Sequence, residues 1–423
     1  MAKVHNMRLL PLIALLLGLL GPQAALALPG SEPAAAAAEG SSLVLLPPAR
    51  LRALAPLLRT TDLVLVESQP TGELRQLTVV TLVAAPPETV RDVVLNVERY
   101  PEFVRNLSFS QVTRNPDGTF DHSYDFSYTL FSFGGRHRYQ ALPRSERGDA
   151  APVEIFDPDP NRNRHFRFEF YGTGGANGAT VLVTYGYIGL QHSIDLVTKL
   201  LRRVPSLEHG LALMTQMTST LSVKGRAEQL AERRGVNLPA AGGASYEFLL
   251  DRGVVALFRS RAGHLAEMTL IDRSVASPAG LVETARDAAR YSEFVPTISS
   301  SSEMAPVDGV PTVSLQLSLP LISFETRYGI RATPSSVDML GYDGDLKDSR
   351  QRWDMAPIHG RGMTAQTRLV LRTQQSLDRA SLGLRQLYKL EPLFEHGVTL
   401  GLQLVLLRSV KAQAERTLAS ARP

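Results

Sequence analysis

Two triplets bring a carboxylate and an imidazole together, Glu208-His209-Gly210 and Glu395-His396-Gly397. Such a pair can act as acid and base. Each follows a proline, Pro205 or Pro392, at the spacing of a helix start, where a carboxylate in the first turn meets the positive end of the helix dipole. Adjacent helical residues diverge by about 100 degrees, so Glu and His cannot both enter one pocket. The triplets read as structure before chemistry, and sequence alone gives no reason for the His-Gly. A second candidate is Arg138-Tyr139 with Arg327-Tyr328, in strand-like stretches where one residue of each pair faces inward. An inward arginine could hold a carboxylate or other polar headgroup in an apolar cavity, whereas an outward one is solvated.

Other chemistries lack their signatures. The histidines His122, His137, His165, His192, His209, His264, His359 and His396 show no H-x-x-x-H or H-E-x-x-H spacing, so no metal site is expected. No G-x-S-x-G elbow occurs, and Gly172-Thr173-Gly174-Gly175 follows a strand without opening a helix, so no phosphate loop and no cofactor are expected. There is no cysteine, which removes disulfides, thiolate metal sites and thiol nucleophiles together. The net charge of +4 is spread without long single-sign runs and does not suggest nucleic acid. Two short basic groups, Lys199 to Arg203 and Arg233-Arg234, are candidates for transient contact with anionic lipid.

The candidate residues recur because the chain is duplicated. Arg99-Tyr100-Pro101-Glu102-Phe103-Val104 returns as Arg290-Tyr291-Ser292-Glu293-Phe294-Val295, an offset of 191 residues, and Pro205 to Gly210 returns as Pro392 to Gly397, an offset of 187. A period this long is far beyond the roughly 20 to 50 residues of a solenoid repeat, so each copy is expected to carry its own core. The two ends of the unit match best, including Val223-Lys224 and Glu228 with Val410-Lys411 and Glu415.

Each copy implies the same elements. Copy one begins with a short helix at 48–58 and two strands, 63–67 and 74–83; copy two repeats the strands at 254–258 and 265–274. Pro87 and Pro278 open a helix, along which Val90, Val93, Val94 and Val97 have helical spacing, followed by Tyr100 and Phe103. Tyr124, Phe126, Tyr128 and Leu130 then alternate with polar residues, as do Leu315 and Leu317 in copy two, giving half-buried antiparallel strands. Further strands are expected at 135–142, 163–170, 179–187, 327–332, 350–355 and 363–372. A long helix closes each copy, its apolar stripe including Leu211 and Met214 in one and Leu400 and Leu404 in the other.

This α+β plan, with Pro86-Pro87-Glu88-Thr89-Val90, Arg99 to Val104, Trp353-Asp354-Met355 and the weaker copies Pro278 and Arg290 to Val295, resembles the START-like (SRPBCC) superfamily, closest to its polyketide cyclase/dehydrase and coenzyme Q-binding branch. The resemblance covers most of each half through short structural motifs; Ser292 departs from the usual proline. It implies two tandem helix-grip domains, each a curved antiparallel sheet wrapped around a long C-terminal helix. It also implies an apolar ligand, such as a lipid, quinone, hopanoid or sterol-like compound, held between sheet and helix. The cavity candidates are Tyr100, Phe103, Tyr124, Phe126, Tyr128, Arg138, Leu211 and Met214 in copy one, and Tyr291, Phe294, Leu315, Leu317, Arg327, Leu400 and Leu404 in copy two. A non-enzymatic binding protein is the preferred reading, with no catalytic residue assigned. A cyclase/dehydrase is the alternative and needs Asp125, Glu169, His137 or Arg138 inside the cavity. A third reading makes copy two a scaffold for copy one. The oligomeric state is open.

Residues 1–27 combine Lys3, His5 and Arg8, an apolar run from Leu9 to Leu20 and the small-x-small triplet Ala25-Leu26-Ala27, the plan of a secretory signal peptide. The expected organisation is a signal at 1–27, a flexible leader at 28–42, domain one at 43–235, a linker at 236–245 and domain two at 246–420, in a protein exported to a bacterial periplasm. Expression of the full chain in a secreting bacterial host should yield a mature species beginning at Leu28; an intact mass that retains residues 1–27 would mark an uncleaved anchor.

Overall fold

A computed structural model describes residues 43–127, 132–144, 147–159, 164–175, 177–188, 206–232, 235–318, 323–358, 365–376, 385, 389 and 392–420. Leu43–Pro423 forms one compact unit. Copy one contains the strands β1 (Asp62–Ser68), β2 (Leu74–Val83), β3 (Leu107–Arg114), β4 (Phe120–Ser127), β5 (Ser132–Ala141), β6 (Val153–Phe156), β7 (Arg164–Gly172) and β8 (Thr180–Ile188). Copy two contains β9 (Val254–Arg261), β10 (His264–Ser274), β11 (Ile298–Val307), β12 (Val310–Ser318), β13 (Ser323–Thr333), β14 (Ser336–Gly344), β15 (Arg350–Ile358) and β16 (Gln366–Gln374). The helices are α1 (Pro48–Ala53), α2 (Pro87–Leu95), α3 (Ser206–Ala231), α4 (Pro278–Arg286) and α5 (Pro392–Ser420), with a short helical turn at Tyr291–Phe294.

All sixteen strands form one antiparallel sheet, in the order β3-β4-β5-β6-β7-β8-β2-β1-β9-β10-β16-β15-β14-β13-β12-β11. Reading from either end gives the same succession of equivalent strands. At the centre Val64 pairs with Ala256. Each lies four residues before the serine, Ser68 or Ser260, that meets a helix histidine, so the strand pairs with its own counterpart and a pseudo-two-fold axis passes here.

The closing helices α3 and α5 obey the same symmetry. A Cβ on Gly210 would lie 2.3 Å from the Gly397 carbonyl oxygen, and one on Gly397 would lie 2.6 Å from that of Gly210. Only glycine allows the two backbones to approach this closely. Each helix is also tied to its own hairpin. Glu228 accepts from Ala84 N at 2.9 Å and Glu415 from Val275 N at 3.1 Å, while Lys224 donates to the Leu82 carbonyl and Lys411 to Asp272 at 2.8 Å. These are the residues through which the two copies match best in sequence.

Both copies therefore have the helix-grip plan, a curved antiparallel sheet closed by a long C-terminal helix, but their cores are joined rather than separate. Ala212, Leu213 and Met217 of α3, with Val64, Val66 and Leu77, belong to the cluster that fills copy two; Phe324, Leu346 and Leu402 join the cluster that fills copy one through Met214. The physical reason is the β1–β9 ladder, which makes one continuous surface for α3 and α5 to cover.

A third layer covers the other face of the central strands. Leu46, Leu51, Leu54, Leu58, Leu249 and Leu250 pack on Leu63, Leu65, Val80, Val183, Tyr185 and Val255. The segment 236–245 joins this layer, Gly242 N donating to the Pro56 carbonyl. Strands buried on both faces read as continuous apolar runs, as β1 and β2 do.

Two glycines of α3 should respond oppositely to a side chain. Gly210→Val forces the helices apart and should cost about 3 kcal/mol or more, whereas Gly225→Ala, with nothing within 4 Å of the new methyl, should add about 0.5 to 1 kcal/mol. Urea denaturation of the two variants checks this; a neutral Gly210→Val would remove the helix contact from the account.

Candidate functional site

The repeated Glu-His-Gly is explained by the hairpin each helix grips. Glu208 accepts from Leu74 N at 3.4 Å and Glu395 from Leu265 N at 3.3 Å, at the starts of β2 and β10. His209 Nε2 lies 3.0 Å from Ser68 Oγ, and His396 Nε2 lies 3.0 Å from Ser260 Oγ. The glycine is the helix contact. Arg408 of α5 reaches across to copy one, donating to Ser68 Oγ at 2.5 Å, and burial lowers its pKa. These groups clamp the fold and leave no room for substrate.

The inner face of copy one is different. Phe120, His122, Tyr124 and Phe126 alternate along β4, and His122 pairs in register with His137 of β5, Phe120 with Tyr139. Around them stand Tyr100 and Phe103, and Phe166 of β7. Phe120 and Tyr139 stack at 4.9 Å between centroids, Tyr100 meets Phe103 edge-on at 5.4 Å, and Tyr124 lies 4.8 Å from His137, whose other neighbour is Phe166 at 5.6 Å. The imidazoles have hydroxyl partners: Tyr124 OH is 3.1 Å from His137 Nε2 and Ser110 Oγ is 2.9 Å from His122 Nε2. Burial lowers the pKa of His122 to about 4; burial, helped by the positive charge of Arg164, lowers that of His137 to about 3. Both imidazoles are neutral at pH 7.

The register separates the copies. Leu317 pairs with Phe324 as Phe126 pairs with Phe133, so His122, Tyr124, His137 and Tyr139 correspond to Val313, Leu315, Tyr328 and Ile330. Copy two keeps the backbone and loses the imidazoles. Its interior holds a cavity of about 30 Å³ lined by Tyr291, Leu315, Leu317, Tyr328, Gln351 and Gln403 among others, room for a water or two rather than a lipid. An open cleft of about 660 Å³ lies elsewhere, beside the start of α2, lined by Arg52, Glu88, Arg144, Asp149 and Gly172 to Gly175. The small cavity of copy two is thus no lipid site.

Several sequence candidates converge here. Tyr100, Phe103, Tyr124, Phe126 and Met214 share the copy-one cluster, while Tyr291, Leu315, Leu317, Leu400, Leu404 and Phe294 belong to or pack on that of copy two. Tyr100 OH donates to the Val94 carbonyl at 2.8 Å and Tyr291 OH to the Ala285 carbonyl at 2.6 Å, so both pin the end of a helix. Leu211 is half-buried on α3, and Tyr128 lies outside the described residues.

Neither candidate arginine faces inward. Arg138 pairs with Asp121 at 2.7 Å on the opposite face of β5 from His137 and Tyr139, and Arg327 lies 3.5 Å from Asp343. The two do not correspond: Ser123 pairs with Arg136 as Ser314 pairs with Arg327, which makes Arg136 the counterpart of Arg327. The inward arginine is Arg164, whose Nη1 sits 3.5 Å from where a Cβ on Gly135 would stand, beside Tyr124 OH. Its signal was the alternation of Arg164 with Phe166, Phe168 and Phe170 along one strand.

No family model and no curated protein matches this chain. Solved structures do. The di-domain ARO/CYC StfQ from the steffimycin biosynthetic pathway is 12% identical over 81% of this chain and 99% of its own, with a TM-score of 0.27. The di-domain ARO/CYC BexL from the BE-7585A pathway is 12% identical over 83% of this chain and 100% of its own, TM-score 0.28. A STAR-related lipid transfer protein fragment from Xanthomonas axonopodis is 12% identical over 38% of this chain and 93% of its own, TM-score 0.27. The likeness is to START-like folds in tandem or singly, and the helix-grip assignment itself stands on the strand order and closing helices above.

His122 and His137 fix a pH dependence. Their folded pKa values lie below the ordinary 6.5, so the unfolded chain binds more protons in between; their stabilisation is complete above about pH 6.5 and is lost as pH falls towards 4 and then 3. His122 alone accounts for on the order of 3 kcal/mol. Denaturation of His122→Gln should show a flatter decline between pH 6.5 and 4 than the parent protein; parallel curves would contradict it.

Proposed function

We propose that this protein binds an apolar small molecule, of the lipid, quinone, hopanoid or sterol-like kind, between the sheet and α3 of copy one, with copy two as its support. The observation that carries this reading is the asymmetry of the two interiors. On one backbone plan, copy one places imidazole, phenol and guanidinium groups among aromatic rings, and copy two places Val313, Leu315, Tyr328 and Ile330, with neither imidazole nor guanidinium. An interior without ionisable imidazole or guanidinium groups suits a scaffold. Polar groups in an apolar interior cost stability unless something uses them.

The described aromatic rings of copy one meet one another at 4.8 to 5.6 Å between centroids, so a ligand that enters among them displaces side chains. Burying roughly 300 Å² of ligand supplies about 7 kcal/mol at 25 cal/mol per Å², before the costs of association and of moving those side chains. Micromolar binding needs about 8 kcal/mol net. Apolar contact over that area is therefore insufficient alone, and a larger ligand or a polar anchor is required.

Catalysis of the cyclase/dehydrase type is the weaker reading. Asp125 and Arg138 lie on the outer face of copy one, and Glu169 is engaged there by Arg167 and Tyr171. Only His137 faces the interior, and a pKa of about 3 makes it a poor base at neutral pH. The signal-like residues 1–27 support a carrier that works after export, in a periplasm, and the basic group Lys199 to Arg203, which precedes α3, is suited to brief contact with anionic lipid. No helix among the described residues is long and apolar enough to cross a membrane.

Titration of the full chain with the uncharged dye Nile red, alongside native mass spectrometry of the purified protein, tests the reading. One dye per chain is expected, lost in a folded Gly135→Leu variant whose side chain presses on Tyr124 and Arg164, 3.0 and 3.5 Å from the new Cβ, and crowds the interior. Two dyes per chain would overturn the assignment to copy one; no dye and no co-purifying apolar ligand would overturn binding.

A further inference from the structure

We propose that the copy-one interior recognises a ligand with a single carboxylate head, held by the guanidinium of Arg164 while the apolar remainder lies among the aromatic rings. This rests on the binding reading above and adds the head group.

Arg164 opens β7 on the inner face, two residues before Phe166. Its neighbours of like type are satisfied. Arg136 and Arg138 both pair with Asp121, and Arg167 pairs with Glu154 and Glu169. The Arg164 side chain has no hydrogen-bond or carboxylate partner among the described residues, and its Nε is buried with none. A guanidinium N–H buried without an acceptor is costly, and two parallel N–H···O bonds to a carboxylate would offset that cost.

Polar groups converge beside the guanidinium. Arg164 Nη1 and Tyr124 OH stand 3.5 and 3.0 Å from where a Cβ on Gly135 would lie, so a carboxylate reaches the guanidinium there as the Tyr124 phenol yields. Copy two closes the same position: Thr326 stands for Gly135, and Ser349 for Arg164, its hydroxyl donating to the Ser376 carbonyl at 3.3 Å. The fold therefore does not require an arginine there. His137 adds no charge, since its imidazole is neutral, so the head group meets one positive charge. A monoanion balances it, whereas a phosphate dianion would leave a charge unmatched. The planar carboxylate also fits the fork of the guanidinium.

The test compares cis-parinaric acid with its methyl ester, which has the same tail and no charge, by fluorescence titration of the full chain. The acid should bind about 10- to 100-fold more tightly than the ester, the range of a hydrogen bond to a charged group. Arg164→Met should bind acid and ester alike, and Arg164→Lys should keep part of the preference. Equal binding of acid and ester by the parent protein, or a preference that survives in Arg164→Met, would overturn the carboxylate assignment and leave apolar binding standing. Failure of both probes to bind would remove the binding reading and this one with it. The ligand-free Arg164→Met variant should melt no lower than the parent, since an unpaired charge is removed; a fall in its melting temperature would assign Arg164 to the fold instead.

Discussion

The pairing of β1 with β9 is the contact on which the rest of this molecule depends. Alone, each copy would end its sheet at β3 or β11 on one side and at β1 or β9 on the other, presenting two open rows of N–H and C=O groups. Joining β1 to β9 removes the two inner edges in one ladder. It also fixes where the closing helices lie: with Val64 opposite Ala256 on the axis, α3 and α5 must meet across it, and Gly210 and Gly397 are the residues that permit the approach. The remaining edges are blunted locally. Register shifts interrupt the β3–β4 pairing at Leu107/Phe109 and the β11–β12 pairing at two places, and β11 is mostly exposed and serine-rich.

A shared core changes what divergence costs. Gly210 and Gly397 at the axis serve both copies, so a change there is felt twice, and both are kept; the Lys and Glu of each closing helix are kept as well, each pair tying its helix to its own hairpin. Residues far from the axis serve one copy only. The β4–β5 and β12–β13 hairpins lie near opposite ends of the sheet, and there the copies have separated most, into an interior with imidazoles and one without. The symmetry is also broken near the centre by Arg408, whose counterpart in copy one is Leu221; copy two thus contributes a charge to the copy-one hairpin without receiving one.

Much of the architecture was legible in the sequence because it depends on local pattern. The duplication, the prolines opening α2 and α4, the alternation along β4 and β12 and the two long final helices all follow from spacing. Four strands escaped notice. β11 contains the run Ser299 to Ser302, and an exposed edge strand needs no apolar alternation; β3 is the edge at the other end; β6 has four residues; β14 carries Asp338, Gly341 and Asp343, which read as turn signals. Nor did the sequence show that the cores join, because a strand paired at its edge and one buried between partners have the same composition. Within the candidate site, the aromatic positions were legible and the arginine was not. Arg138 and Arg327 drew attention because each precedes a tyrosine, but strand faces are decided by register, which places them outward and Arg164 inward.

The side-chain contacts of the copy-one interior are of a kind that a ligand can rearrange. Tyr124, His137 and Phe166 meet in tilted and edge contacts rather than interlocking aliphatic ones, and neutral imidazoles with single hydroxyl partners can exchange those partners at small cost. Val313, Leu315 and Ile330 at the equivalent positions of copy two have no such exchange to make, and Trp353, Leu369 and Leu371 lie fully buried in the same cluster. Displacing close-packed aliphatic side chains forfeits dispersion contacts that a ligand must then restore in full. Rigidity on one side of the axis and rearrangeable polar contacts on the other follow from a single duplication in which only one copy had to keep the sheet and helices in place.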